Sequence, residues 1–498
     1  MTAEEYKKTY IRQDQIDPYL PGGRHFIDEA AIHQALQKAA EKGEDPAYVR
    51  EILAKSLDIQ TLTIDELAAL MQVRSPELWK EMEQTALAAK HKVYDNRVVM
   101  FAPLYLSNLC VNRCAYCGFS DGNAAQRRRV LLPEEMEREI DVLAGRIGHK
   151  RLIAVYGEHP STGVEYIAKS IETIYRHTVK SPGGATVGIR RVNVNAAPMR
   201  TEDLAALKRV GIGTFQVFQE TYHRETYRRL HPADTVKGNY DWRTTCFHRA
   251  MEAGVDDVGL GVLFGLYDWR FECLALLQHA RELERAFHIG PHTISFPRME
   301  PASGTDVPTS SPWLFDDETF GHIVTLMRLA VPYTGLIVTC RERPEVRNRA
   351  ISCGITQMDC SSNIAIGGYH DSAKVSDQRI HNQQFLLADS RSLTEVVGYL
   401  ATQGIITSFC TAGYRCGRTG GCIMDALKTG KEGKFCKVNA VLTFREWLDD
   451  FADEATRALA RPVLEKEIEE IRQTLPKFFP AFKEHYDRIV AGERDLFF

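Results

Sequence analysis

The stretch Leu104-Tyr105-Leu106-Ser107-Asn108-Leu109-Cys110-Val111-Asn112-Arg113-Cys114-Ala115-Tyr116-Cys117-Gly118 decides the fold of this chain. Three thiols, Cys110, Cys114 and Cys117, follow an apolar run at intervals of three and then two residues, so one loop can turn all three sulfurs toward a common point. Soft thiolates select zinc or an iron-sulfur cluster. A structural zinc needs a fourth nearby Cys or His, and none follows within the loop. A cubane held by three cysteines leaves one iron without a protein ligand, open to a small molecule. The spacing therefore predicts a 4Fe-4S cluster on Cys110, Cys114 and Cys117.

Composition narrows the classes. With 498 residues the chain can build several domains, although an α/β barrel absorbs 200 or more residues as one unit. The net charge of -4 comes without the polybasic run that tracks a phosphate backbone, which points to a small-molecule partner and not to nucleic acid. Met1-Thr2-Ala3-Glu4-Glu5-Tyr6-Lys7-Lys8 lacks the apolar stretch of a signal peptide, and no later run reaches the ~18 apolar residues of a membrane span. A cytoplasmic location is expected. In that compartment twelve cysteines serve as metal ligands and buried thiols more readily than as disulfides.

Taken in order, residues 25 to 95 carry apolar side chains at helical spacing (Ile27, Ala31, Ile32, Leu36; Ile52, Leu53, Leu57), and Thr63-Ile64-Asp65-Glu66 opens a further helix as a capping box. From about residue 97, short β-branched runs alternate with amphipathic segments, the mark of βα repeats and a parallel sheet. Eight strands are predicted: Val98 to Leu106, Arg151 to Tyr156, Arg191 to Asn195, Thr214 to Glu220, Asp257 to Leu263, Thr293 to Arg298, Leu336 to Arg341, and Ile355 to Cys360. Eight strands suit a complete α/β barrel of the (β/α)8 TIM type, with polar residues at the C-terminal strand ends where such barrels build their sites. The expected organisation is an N-terminal helical layer over 1–95, the barrel over 96–385 and a mainly helical C-terminal part over 386–498. That last part shows helical patterns at Leu393 to Leu400, Leu442 to Phe451 and Leu464 to Leu475. It also carries Cys410, Cys416, Cys422 and Cys436, whose intervals of five, five and thirteen residues fit no standard zinc pattern but leave a second iron-sulfur site open.

The Cys-x3-Cys-x2-Cys spacing resembles that of the radical S-adenosylmethionine (SAM) superfamily. The resemblance implies that the open iron chelates the amino and carboxylate groups of SAM, whose reductive cleavage gives a 5'-deoxyadenosyl radical. On that footing Tyr116, Gly157, Glu158, Asn193, Asn195, Gln219 and Glu220 are the candidate cofactor contacts, Glu158 being suited to the SAM ammonium. Gly259, Gly261 and Gly265, in the run Gly259 to Tyr267, are expected to let the backbone approach a flat adenine. Arg341, Asp359 and Ser362 form the candidate catalytic set. The fork of Arg341 matches a substrate carboxylate in bidentate fashion, although a salt bridge to Glu342 or Asp359 is an equal expectation.

Longer segments are more specific. Phe101-Ala102-Pro103-Leu104-Tyr105, Arg190-Arg191-Val192-Asn193-Val194-Asn195, Phe218-Gln219-Glu220-Thr221-Tyr222-His223, His292-Thr293-Ile294-Ser295, Gly367-Gly368-Tyr369-His370 and Gly492-Glu493-Arg494-Asp495-Leu496 are similar to the aromatic amino acid lyases of the radical SAM superfamily, and among them to the tyrosine lyases that mature FeFe-hydrogenase. The resemblance implies L-tyrosine as substrate, cleavage of its Cα–Cβ bond to p-cresol and dehydroglycine, a protein reductant for the cluster, and an auxiliary cluster in the tail. Two departures stand out. The maturase tail reads Cys-x2-Cys followed after twenty-two residues by a third Cys, and here Gly413 occupies the middle position between Cys410 and Cys436. Second, the strand-two region reads Ala154-Val155-Tyr156-Gly157-Glu158, where an acidic residue is expected near Val155, and a more apolar pocket there suits another aromatic such as the indole of L-tryptophan. Asp359 is a further unusual carboxylate, either pairing with the substrate ammonium or neutralising Arg341. From a different class, a non-catalytic iron-sulfur scaffold remains as the alternative, though a scaffold has little use for a SAM-sized barrel mouth.

Overall fold

The computed structural model describes residues 2–372, 374–429 and 431–498, with side chains at all of these except 40, 41 and 431–435. Four helices, Glu29–Lys42, Pro46–Leu57, Ile64–Leu70 and Pro76–Tyr94, build the expected N-terminal layer. The capping box forms as read: Glu66 N donates to Thr63 Oγ1 (3.3 Å) while Thr63 N donates to the Glu66 carboxylate (2.7 Å). In Pro76–Tyr94 the buried residues Leu78, Met82, Ala86, Ala89 and Val93 recur every three or four positions, the stripe that one helix face must bury. It lies against the barrel helix Asp317–Ala330. Ahead of this layer a helix not foreseen in the sequence, Ala3–Tyr10, packs Tyr6 with Ile16 on Val111, Val236 and Trp242. The N-terminus thus braces the cysteine loop from outside.

Eight parallel strands form the barrel: β1 Arg97–Ser107, β2 Arg151–Tyr156, β3 Arg191–Asn195, β4 Phe215–Gln216, β5 Val258–Gly261, β6 Thr293–Ser295, β7 Gly335–Val338 and β8 Gln357–Asp359. Each pairs with the next, and Val99, Met100 and Phe101 of β1 pair with Gln357, Met358 and Asp359 of β8 to close the ring. Every residue of β1 is buried, because one face of a barrel strand meets the helices and the other fills the interior. The fold class read from the sequence is borne out. The last five strands are shorter than expected: Thr214 to Glu220 contracts to two residues, with a single further bridge at Glu220. These strands leave the ladder early where their polar ends turn into the mouth.

A ninth strand was not anticipated. β9, Ile406–Ser408, runs parallel to β1 and pairs with its first residues, Arg97 to Val99, whereas Ala102 to Ser107 pair with β2. Three residues carry too little pattern to be recognised beside the helix Leu393–Thr402 that precedes them. Helices Lys431–Asp450, Glu454–Thr474 and Phe479–Val490 complete the tail. The Gly492 to Leu496 motif fastens it down: Arg494 reaches Asp450 at 2.9 Å, and Asp495 accepts from Arg190 (2.9 Å) and Arg415 (2.8 Å).

Candidate active site

The cysteine loop leaves β1 and is laced at once to the end of β2. Gly157 N donates to Ser107 O (2.9 Å) and Val111 N to Glu158 O (2.8 Å). A Cβ on Gly157 would stand 2.1 Å from Leu109 O, so only glycine permits this approach. Asn112 makes the next link, donating to Glu158 Oε2 (2.6 Å) and accepting from Lys237 N (3.0 Å). Ala115 N donates to Leu230 O (3.1 Å). Held in this way, Cys110, Cys114 and Cys117 line one cavity of about 210 Å³ at the barrel mouth. That is far more room than the roughly 10–15 Å³ a single water needs.

The donor set can be tested against the metal. Among the described residues no group of three His, Cys, Asp or Glu side chains is arranged around a single metal ion. A multi-iron cluster is the soft-metal alternative that three thiols serve. Burial pushes the Cys114 thiol up to about 12, with Cys117 and Cys110 adding and Lys237 opposing. A thiol binds metal as its thiolate, so Cys114 gives up its proton here in exchange for a cation. The residues fit a cluster.

Around the thiols the sequence candidates separate. Tyr116, Gly157, Glu158, Asn195 and Glu220 line the cavity. Tyr116 is fixed by its hydroxyl on His231 Nε2 (2.8 Å). Glu158 Oε1 is buried and has no partner, which leaves an acceptor facing the site. Glu220 sits at φ +71°, a strained conformation for a non-glycine residue, with Lys237 at 2.8 Å and Arg243 at 3.5 Å. Neither cation was singled out from the sequence, since each lies in a connection whose place at the mouth only the fold reveals.

Asn193 and Gln219 do not reach the cavity. Asn193 lies two residues, one interior layer, below Asn195, and its Oδ1 accepts from Arg191 Nε (2.9 Å) and Thr214 N (3.0 Å). Phe218 and Glu220 line the mouth, so Gln219 between them faces the other way. The glycines of β5 also act differently from the expectation: a Cβ on Gly261 would meet Phe218 Cδ1 at 2.4 Å and one on Gly259 would meet Thr293 Oγ1 at 2.6 Å. They make room for interior side chains and not for an adenine.

Arg341 also lines the cavity, with its guanidinium 3.3 Å from the centre of the Phe385 ring. Both carboxylates weighed as its partners are taken. Glu342 is held by Arg298 at 3.0 Å, and Asp359 accepts from Cys340 N and Ser362 Oγ (2.8 Å each) with Arg347 at 3.6 Å. The expectation that Asp359 neutralises Arg341 is thereby corrected, as Arg347 takes that place. Ser362 is itself outside the cavity and positions Asp359. What remains on Arg341 is one long contact to Arg298 O (3.5 Å). Beside it Phe101, Ile153, Val155 and Ile337 form an apolar patch. Glu300, also on the cavity wall, was missed; Pro297-Arg298-Met299-Glu300-Pro301 reads as an ordinary loop.

The tail cysteines lie at the other end of the barrel. Cys410, at φ +45°, stands 3.9 Å from Arg191 Nη1, and Arg191 stacks on Tyr414 at 3.1 Å. Cys410 and Cys436 both lie within electrostatic reach of the Tyr94 hydroxyl, which itself donates to Tyr333 O (2.6 Å). Cys416 and Cys422 are exposed, the second on the helix Gly420–Lys428. A Cβ on Gly413 would find only Arg418 O, at 3.7 Å, so a thiol side chain has space there.

Among the described residues no helix is long and apolar enough to cross a membrane. Comparison with known proteins agrees with this architecture. Residues 104–277 match the model of the radical SAM superfamily, and residues 295–406 match that of the biotin and thiamin synthesis associated domain. A crystal structure of HydG, a maturase of the FeFe-hydrogenase, is 42% identical with a TM-score of 0.88, over 95% of this chain and 100% of that one. HydG from Carboxydothermus hydrogenoformans is 32% identical with a TM-score of 0.74, over 92% and 97% of the two chains. The 2-iminoacetate synthase of Salmonella typhimurium is 30% identical over 353 residues, 70% of this chain and 88% of its own length. With HydG structures matched over nearly their whole length and 2-iminoacetate synthase over most of its own, the chain belongs to the radical SAM superfamily, in the family of the hydrogenase maturase HydG and 2-iminoacetate synthase.

Proposed function

We propose that this enzyme is a radical SAM lyase that cleaves the Cα–Cβ bond of L-tyrosine to p-cresol and dehydroglycine, as a step in FeFe-hydrogenase maturation. The observation that carries the reading is the unpaired Arg341 beside an apolar patch, in the same cavity as the three thiols. When bound, the cluster and SAM supply a carbon-centred radical that removes a hydrogen atom from the substrate. Cys110, Cys114 and Cys117 hold the cluster. Glu158 offers its free oxygen to the SAM ammonium, and Asn195 and Glu220 bound the space beside it. Arg341 anchors the substrate carboxylate, which a guanidinium fork grips in bidentate, charge-assisted fashion. Phe101, Ile153, Val155 and Ile337 receive the aromatic ring and keep water from the reacting carbons. A reductant protein would supply the electron to the cluster.

L-tryptophan is the second reading, favoured by Val155, whose apolar side chain lies in that patch. Anaerobic incubation with SAM, dithionite and each amino acid decides between them. p-Cresol is the expected product; 3-methylindole would favour the second reading, and 5'-deoxyadenosine with neither product would overturn both. The tail supports a cleavage enzyme whose auxiliary cluster site is incomplete, since Gly413 supplies no sulfur and Cys416 and Cys422 are exposed.

A further inference from the structure

Four carboxylates line the active-site cavity, and the roles assigned so far occupy three of them. Asp359 spends its oxygens on Cys340 N and Ser362 Oγ beside Arg347. Glu220 is held by Lys237 and Arg243. Glu158 is tied to the cysteine loop through Asn112, and its free oxygen belongs to the cofactor side. Glu300 alone is uncommitted. It is half-buried on the wall, and among the described residues it makes neither a hydrogen bond nor an ion pair.

The nearby cations do not claim it. Arg298 is engaged by Glu342 and Asp317, and Arg343 also closes on Asp317. Arg341 lies within the electrostatic reach of Glu300 but stacks on Phe385 without closing on it. A guanidinium and a carboxylate therefore open on one cavity, near enough to sense each other, while among the described residues neither makes an ion pair. Two unpaired opposite charges in one desolvated space are complementary to a ligand carrying both, with its charges inverted.

We propose that Glu300 binds the α-ammonium group of the substrate while Arg341 binds its carboxylate, so that the pair selects zwitterionic α-amino acids over aromatic acids lacking the amine. This assignment rests on the reading of the cavity as the site of an amino acid lyase. Burial, reinforced by Glu342, raises the Glu300 carboxyl to about 7, which is the state of an acid whose cation has yet to arrive.

The test compares the cluster-loaded wild type with Glu300→Gln and Glu300→Asp, measuring anaerobic equilibrium binding of L-tyrosine and of 3-(4-hydroxyphenyl)propanoate, which differs only in the missing amine. Wild type should prefer L-tyrosine by about tenfold or more, the scale of one charge-assisted contact. Glu300→Gln should lose that preference by weakening L-tyrosine alone, and Glu300→Asp should recover part of it. Equal weakening of both ligands by Glu300→Gln, no change in either, or a wild type that does not discriminate would overturn the assignment. Because affinity is read and not turnover, failure to form p-cresol would count against the lyase chemistry alone.

Discussion

Arg298 grips Glu342 through its Nε at 3.0 and 3.1 Å, and this ion pair is what leaves the neighbouring Arg341 facing the cavity without a carboxylate. Glu342 is almost wholly buried, so removing its charge takes from Arg298 one of its two carboxylates. Glu342→Gln should destabilise the fold toward the low end of about 3–5 kcal/mol, because Asp317 still compensates Arg298 at 2.7 Å. Denaturant midpoints of the two proteins give the difference; a shift within error would mean that the pair contributes no net stability.

Cys114 is the most deeply buried of the three thiols and stands between the other two in sequence. Cys114→Ala, prepared without oxygen, should retain the fold and lose formation of 5'-deoxyadenosine to background, with the iron of the loop cluster lost as well. Chromatography of the nucleoside and an iron assay check this. Turnover at the parental rate would refute the cluster assignment.

At Gly413 the absence of a side chain is not imposed by packing. Gly413→Cys places a third sulfur in the segment that carries Cys410, and it should raise the iron of the reconstituted protein from about four to about eight per chain. Unchanged iron would show that something beyond the missing thiol keeps the tail from holding a cluster.

Glu272 is buried in the helix Trp269–Phe287, where its carboxylate accepts from Thr221 Oγ1 and from Tyr222 N (2.9 Å). Burial raises its carboxyl to about 8 in spite of those two bonds. The folded form thus holds a proton that the unfolded chain releases near the ordinary 4.5. The stability gained is complete below that value and is lost as pH rises through about 8. The thermal midpoint of the wild type, measured relative to Glu272→Gln, should fall across this interval. Parallel curves would contradict it.

The parts legible in the sequence are those where a short pattern has a single physical solution. The thiol spacing of Cys110, Cys114 and Cys117, the burial of β1 on both faces and the capping box at Thr63 are of this kind. Positions that depend on two distant segments were not legible. Asn193 and Asn195 look equivalent on one strand, yet the depth of the barrel assigns one to the mouth and the other to a contact with Arg191. Glu300 carries no local mark of its function, because what distinguishes it is that Arg298, which a reader would pair with it, is satisfied by Glu342 from another strand end. Arg341 was weighed evenly between a salt bridge and a ligand for the same reason: the competing claims on Glu342 and Asp359 are settled in three dimensions.

The short ladder between β9 and the opening residues of β1 gives the last hundred residues a bearing on chemistry at the far rim. A chain ended at residue 405 would strip Arg97 to Val99 of a backbone neighbour and expose a raw sheet edge at the foot of the strand that carries the thiol loop. The damage would travel up one continuous backbone, so such a truncation should cost the enzyme its grip on iron and not merely its tail.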